Sequence, residues 1–374
     1  MKKYFALLLT LLFLGCSSGS DKPDPQPAEE GKDRAVMLKA LAENVVIPSY
    51  DQFKTKFDVM ATKSKAFTAK PDVQTLSEFR GAWADAYVAW QRVELFDFGP
   101  AEKQTIRNFF NIYPAGEAGI AANIADPTSN LEVPASYATQ GFPALDYLIN
   151  GLGADDTAIL IYYTTDKDAA KRLAYITRVI TRMESLLSKV IGDWKGEYLN
   201  TFISKTGLDI GSSTSSMVNG IVLHYERYIR SGKFGIPSGA MANGIPAPEK
   251  VEAFYKKDIS KSLAQTAHKA YVDFFNGKHA VTDEAGPGLK TYLDALGAKD
   301  SGTGKLLTET INAQFLVATA KLDALKPNLY DEVKTNNQAM KDMYTEMQKA
   351  VRMLKVDMTS AMSITITYTD NDGD

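Results

Sequence analysis

The sequence predicts an all-α protein built as two four-helix-bundle-like domains packed side by side. Three observations predict it. Apolar residues recur at alternating three- and four-residue spacing through several long segments, strand patterns are almost absent, and Gly-, Pro- and Ser-rich stretches separate the helical segments. Long helices with narrow apolar stripes must bury those stripes against one another, which a bundle does. The hydrophobic fraction of 45% and charged fraction of 23% are those of an ordinary soluble globule. About 340 residues follow the leader and tether described next, long for one core and suited to two domains or one large one.

Residues 1–15 read as a lipoprotein signal peptide. Lys2 and Lys3 give a basic start, and Tyr4 to Leu14 is an apolar run. That run is too short to span a bilayer, which takes about 20 residues. Leu-Leu-Phe-Leu-Gly15-Cys16 then matches a bacterial lipobox, with Phe13 a less usual choice than Leu at its first position. Cleavage before Cys16 and acylation of that cysteine are expected. The alternative is an ordinary secretory leader in which Cys16 is incidental. Residues 16–32 carry nothing apolar larger than Ala or Pro between Ser17 and Gly31 and hold three prolines. Such a segment buries too little surface to offset its ordering entropy, so it reads as a flexible tether. The expected location is the cell envelope, lipid-anchored, with the outer membrane favoured and its face left open.

Residues 33–200 form the expected first bundle. A helical stretch from Asp33 to Phe67 is interrupted by Pro48, which should break or kink it. A seam follows through Leu76, Phe79, Trp83, Ala86, Trp90 and Val93. Another runs through Leu173, Ile176, Ile180, Met183, Leu187, Val190 and Trp194, on a helix expected over Asp166 to Lys195. Residues 201–374 form the second bundle, with helices expected over Val251–Phe275 and Leu307–Leu325 and a seam from Met340 to Met358. Gly196–Ser216, Ser231–Pro248 and Gly277–Gly288 read as connections. Ile364 to Tyr368 alternates strictly, as a short edge strand or a docked extended tail.

Several chemistries find no support. A net charge of −3 suggests no nucleic-acid partner. Once Cys16 is acylated, no cysteine is left for a disulfide or a thiolate site. His224, His268 and His279 are scattered, without the close pair expected of a zinc protease. There is no Gly-x-Ser-x-Gly elbow, and Gly302-Thr-Gly-Lys305 lacks the phosphate-loop spacing. Asp370-Asn-Asp-Gly-Asp374 starts like a calcium loop but lacks the later ligands, so it reads as a solvated acidic tail.

Three segments are too irregular to be helix filler. In the first, a helix carrying Trp90 and Glu94 stops at Phe98-Gly-Pro100, and Asn111-Ile-Tyr113-Pro114 follows. Glu94 lies on or beside the apolar stripe, or else faces solvent. The second is Gly141-Phe-Pro143-Ala-Leu-Asp146. Pro143 suits a first helical turn, and Asp146 is expected there either as a site carboxylate or to complement the helix dipole. The third runs from His224 through Glu226, Arg230 and Lys233 to Gly239, a helix end entering a Gly/Pro loop.

Taken together and in this order, over roughly residues 33–370, these segments resemble the imelysin-like family of bacterial exported proteins, also called peptidase family M75. The resemblance implies two similar four-helix bundles, a functional site at their interface and a role in bacterial iron uptake. This chain departs from the family's Gly-x-His-x-x-Glu motif: Pro143 stands for the histidine and Asp146 for the glutamate. Proline offers no ligand, base or donor. A non-enzymatic binding component of iron acquisition is therefore favoured over a metallopeptidase using carboxylates and His224, and no catalytic residue is assigned. A helical adaptor that binds only protein is a third reading. The expected ligand site combines Trp90, Glu94 and Tyr113 with Gly141, Pro143 and Asp146, and with Glu226, Arg230 and Lys233. Glu94, Asp146 and Glu226 are its candidate metal ligands, for iron or another hard divalent or trivalent cation, and Arg230 and Lys233 suit an anionic ferric chelate or haem. Expected partners are the membrane, through the anchor, and iron species or components of an iron transporter.

Overall fold

A computed structural model describes residues 27–369, with side chains from Arg34 onward. Cys16 and the acidic 370–374 segment lie outside the described residues. The first half holds helices α1 (Pro27–Ala40), α2 (Ile47–Ala69), α3 (Val73–Trp90), α4 (Pro100–Gln104), α5 (Ile106–Phe110), α6 (Glu117–Ala125), α7 (Gly141–Asp146), α8 (Asp156–Thr164) and α9 (Ala169–Lys195). The second holds α10 (Glu197–Ser204), α11 (Ser213–Leu223), a π-helical segment His224–Gly235, α12 (Ile236–Ser238), α13 (Ser260–Phe275), α14 (Leu289–Ala295), α15 (Leu307–Asp323), α16 (Leu329–Arg352), a π-helical turn Met353–Met358 and α17 (Thr359–Ala361). Among the described residues the chain is all-α; Lys278–Ala285 and Lys299–Leu306 are isolated bridges rather than strands. No helix of the described residues is long and apolar enough to cross a membrane.

The heptad seams form the interior. Along α9, Ile176, Ile180, Met183, Leu187, Val190 and Trp194 are all buried, and along α3 so are Leu76, Phe79, Trp83, Ala86 and Trp90. Helix α3 starts on a capping box, in which Asp72 accepts from the Thr75 N–H and the Thr75 hydroxyl accepts from the Asp72 N–H. Helix α2 packs on both α3 and α9, and α15 and α16 pack with α13 and the His224–Gly235 segment. The buried apolar side chains of the two groups are continuous, joined by contacts such as Phe96 against Phe274, 5.5 Å between ring centroids.

Pro48 is absorbed rather than obeyed as a break. The preceding turn, Leu41–Val46, widens to π-helical, and α2 starts at Ile47. Proline cannot donate to the carbonyl of residue 44. The Ala280 N–H, from the connection over 277–288, bonds to Asn44 O at 2.9 Å instead.

Four expectations are corrected. Helix α1 begins at Pro27, inside the segment read as tether, because proline at a first helical position loses no needed hydrogen bond. The stretch 196–216 is not all connection, since it contains α10, whose Phe202 is buried against Trp194, 5.2 Å between centroids. The helix expected from Val251 starts only at Ser260; residues 251–257 form a turn, with Ala253 (φ 55°) and Lys257 (φ 62°) in the left-handed region. The His224 segment does not end in a loop but stays helical to Ser238 by widening to π geometry. Ile364 to Tyr368 is a docked extended tail, not an edge strand. Asn219 substitutes for a neighbouring strand: its Nδ2 donates to Thr365 O at 3.0 Å and its Oδ1 accepts from the Thr367 N–H at 2.8 Å.

Candidate functional site

The end of α3, the turn after α5, the π-helical segment and the 251–257 turn meet around a buried polar cluster. Gln91 and Glu94 follow α3, Asn111 follows α5, His224 and Lys233 lie on the π-helical segment, and Glu252 comes from the turn. All six are buried. Lys233 Nζ donates to Glu252 Oε2 and, at 2.8 Å, to Gln91 Oε1. Gln91 Nε2 donates to Glu252 Oε1 at 3.0 Å. Asn111 bridges the two carboxylates, donating to Glu94 Oε1 at 2.9 Å and Glu252 Oε1 at 2.8 Å. The Tyr87 hydroxyl donates to Asn111 Oδ1 at 2.5 Å. Buried ionic groups persist only when paired and hydrogen-bonded in this way.

Asn111 and Glu94 are the members that reach open space, lining a cavity of about 290 Å³ together with Arg107, Tyr113, Tyr228 and Lys250. Of the two, Glu94 is the ionisable one. Burial pushes its carboxyl up, but His224, Lys233 and Arg107 outweigh burial and hold it at about 2. His224 stands behind it, with Nε2 3.7 Å from Glu94 Oε2. Burial pushes the His224 imidazole below its ordinary value, against the pull of Glu94, so the pair at neutral pH is a carboxylate beside a neutral ring. Neither ring nitrogen has a hydrogen-bond partner among the described residues, although the side chain is 0% exposed. Arg107 forms the cationic wall. Its guanidinium lies 3.5 Å from the Tyr228 ring centroid, and its Nε is 3.5 Å from Asp97.

The remaining expected residues fall into three places. Trp90 is core, 4.8 Å from Phe110 and 5.4 Å from Phe53 between ring centroids. Gly141 has φ 77°, and a Cβ there would sit 2.3 Å from Phe110 O, so only glycine fits against the end of α5. Pro143 is buried in α7. Asp146 is not in a first turn complementing a dipole. It ends α7, and its carboxylate accepts from the Tyr255 and Lys256 N–H groups, both at 3.0 Å, and from Asn150 Nδ2 at 2.9 Å. It thereby holds the strained turn that presents Glu252. Glu226 and Arg230 share the π-helical segment with His224 and Lys233 but face elsewhere. Glu226 binds Lys355 Nζ at 3.1 Å and the Tyr368 hydroxyl at 2.8 Å, and Arg230 binds Gln348 and Ser231. Glu94, Tyr113 and Lys233 are thus gathered around the cavity and its floor, Asp146 braces that floor through the 251–257 turn, and the carboxylates of Glu94, Asp146 and Glu226 serve three separate sets of bonds. Among the described residues, no three His, Cys, Asp or Glu side chains gather as a metal-holding group.

Sequence reasoning missed Glu252 as a site residue. It read residue 252 as one more position of a helix running to Phe275. Pro246 and Pro248 just before it are the signal that could have moved the helix start downstream.

Burial pushes the Asp146 carboxyl up to about 7, with its three N–H donors pulling down. The folded state therefore binds this proton more tightly than the unfolded chain, whose value is near 3.8. The stability contributed by this group is full below about 4 and falls as pH rises toward about 7. Asp146→Asn cannot titrate, and its amide turns a donor toward one backbone N–H, at a cost of about 1–3 kcal/mol. The stability gap between wild type and variant should narrow from pH 4 to pH 7, read by urea melts at each pH. A gap that is constant or widens refutes the assignment.

A family model described as Imelysin, peptidase M75, matches residues 46–357. The chain belongs to the imelysin family. Two solved structures share the imelysin fold. An imelysin-like protein from Psychrobacter arcticum superposes with TM-score 0.68 at 18% identity, over 90% of this chain and 98% of that one. A protein from Parabacteroides distasonis described as an iron-regulated protein A precursor gives TM-score 0.66 at 17% identity, over 89% and 97%. A curated relative, iron-regulated protein A of Synechococcus elongatus, is 24% identical over 112 residues, and the match spans 30% of the length of each chain.

Proposed function

We propose that this imelysin-family protein is a non-enzymatic binding component of bacterial iron acquisition, holding its ligand in the cavity lined by Glu94. The single observation that carries the reading is Glu94 itself. It is a carboxylate held ionised at a cavity wall, braced by Asn111 and backed by the buried His224. The relatives called iron-regulated protein A support the iron connection. In this reading residues 33–200 and 201–374 act as two bundles with the ligand at their junction. The body is tethered to the envelope by acylated Cys16, and an iron transporter is its partner. The description of one neighbour as a precursor supports export.

The metallopeptidase alternative needs an imidazole-rich metal site with an open position. Pro143 stands where the motif has histidine, and among the described residues no three His, Cys, Asp or Glu side chains gather as a metal-holding group. The reading is tested by elemental analysis of the purified mature protein after growth in iron. Iron should be retained, and Glu94→Gln should lower it by about tenfold or more. Wild type without iron sinks the proposal. EDTA-sensitive cleavage of an unfolded protein, lost in Asp146→Ala at matched stability, would install the peptidase instead. For the anchor, Cys16→Ser should release the protein from washed membranes to the soluble exported fraction; a variant that stays on membranes through high-salt washing removes the anchor.

A further inference from the structure

We infer that the outward face of α15 is the docking site for a second copy of this chain, whose α15 runs antiparallel to the first across a two-fold axis between Leu316 and Val317.

Helix α15 carries two apolar faces. One is the core face, where Leu307, Ile311, Phe315, Ala318 and Leu322 are buried. At about 100° per residue, Ala313, Leu316, Val317, Ala320 and the following Ala324 fall on the opposite side. All five are exposed, Leu316 by 70% and Val317 by 44%. A helix that only covers a core presents charged and polar side chains there instead.

The fold holds this stripe outward. Helix α15 lies against α13 on one flank and α16 on the other, and its polar residues sit on those flanks. Toward α13, Asn312 Nδ2 donates to Asn276 Oδ1 at 3.0 Å, Asn276 Nδ2 donates back at 2.9 Å, and Gln265 Nε2 donates to Asp323 at 2.6 Å. Toward α16, Gln314 Nε2 donates to Glu346 O at 2.9 Å and to Glu346 Oε2 at 3.0 Å. Bonds on both flanks fix the rotation of the helix, so the stripe has no inward position to turn to.

Charge at the two ends of the stripe selects the occupant. Glu309 lies on the first turn and Lys321 on the last, both exposed. Among the described residues neither side chain enters a hydrogen bond or an ion pair. Lys321 does help to lower the Glu346 carboxyl, but that carboxylate is already bonded to Lys349 at 2.9 Å and to Gln314. A two-fold axis between Leu316 and Val317 reverses the second helix. The Glu309 turn of each copy then lies beside the Lys321–Ala324 turn of the other, and both opposite-charge contacts form at once. The same register sets Ala313 against the second copy's Ala320, and methyl groups there let the helices approach closely. A lipid surface fits the stripe less well. Helices that lie on membranes have Lys- and Arg-rich borders and aromatic anchors, whereas this stripe has Glu309 and Asp323 at its borders and no aromatic residue. The 17 residues of α15 span about 25 Å. A contact of that length falls below the roughly 1,200 Å² of stable complexes, so the dimer is weak and depends on concentration.

The test is sedimentation of the full mature chain, carried as Cys16→Ser so that no Cys16 disulfide links two copies. From about 5 µM to about 1 mM the mass should rise from one chain toward two. Leu316→Glu sets a carboxylate beside its own image at the axis and should keep the protein monomeric, with unchanged circular dichroism because the position is exposed. Glu309→Lys should weaken the dimer by about tenfold, and adding Lys321→Glu should restore it, because reversing both ends rebuilds both contacts. A monomer over the whole range overturns the inference. So does a dimer that survives Leu316→Glu, or one that the double charge reversal fails to restore. A monomer that pellets with anionic phospholipid vesicles, and stops doing so in Leu316→Glu, makes the face a lipid contact and overturns it as well.

Discussion

Glu252→Ala is expected to destabilise the protein by about 3–5 kcal/mol, the range for removing one partner of a buried ion pair. Lys233 and Glu252 are each 2% exposed, so the orphaned ammonium has no water to turn to. Gln91 and Asn111 lose their acceptor in the same step. The denaturant midpoint of the variant, followed by circular dichroism, measures the loss. A second variant separates the pair from its surroundings. Glu252→Leu combined with Lys233→Met removes both charges, and an apolar pair of similar volume should recover much of the loss. A single variant within about 1 kcal/mol of wild type would mean that the pair is solvated, and the buried cluster as described would be wrong.

Met183→Asp should be at least as severe, costing more than about 4–5 kcal/mol or preventing folding. Met183 is fully buried in the middle of α9, between Ile180 and Leu187 on the same seam. A carboxylate there would sit on the buried apolar seam, and stranding an unpaired charge in such a place is among the largest single-residue penalties known. Ser185→Asp, two positions on and exposed, is the control and should stay within about 0.5 kcal/mol. Soluble yield and thermal melting of the two variants decide the matter. Equal behaviour would mean that α9 does not bury this face.

These two predictions differ in where they come from. Met183 was legible in the sequence. Seven seam residues at three-four spacing leave one way to bury a 27-residue helix, and the fold follows from such patterns repeated along the chain. Glu252 was not legible. Its role depends on a turn that replaces expected helix, with Ala253 and Lys257 at positive φ, and on Asp146 more than a hundred positions away capping that turn. Asp146 shows both sides at once. Its place in a motif marked it as important, but the same residue type fits a metal ligand, a dipole partner or a turn brace, and only its three N–H donors separate them.

The sequence by itself determined the all-α class, the helices that build the interior and, through its motifs, the family. Local physics governs the helices, because helical periodicity and proline at a helix start each act within a few residues. The tertiary structure alone decided that Pro48 is accommodated, with Ala280 taking up the carbonyl it frees. It alone decided that the tail docks on Asn219, that Glu226 and Arg230 turn away from Lys233, and that His224 is buried behind Glu94. Each of these depends on what a side chain meets across the fold. Burial, which sets both the cost of a charge and the need for its partner, is a property of the packed molecule and is written nowhere in the local order of residues.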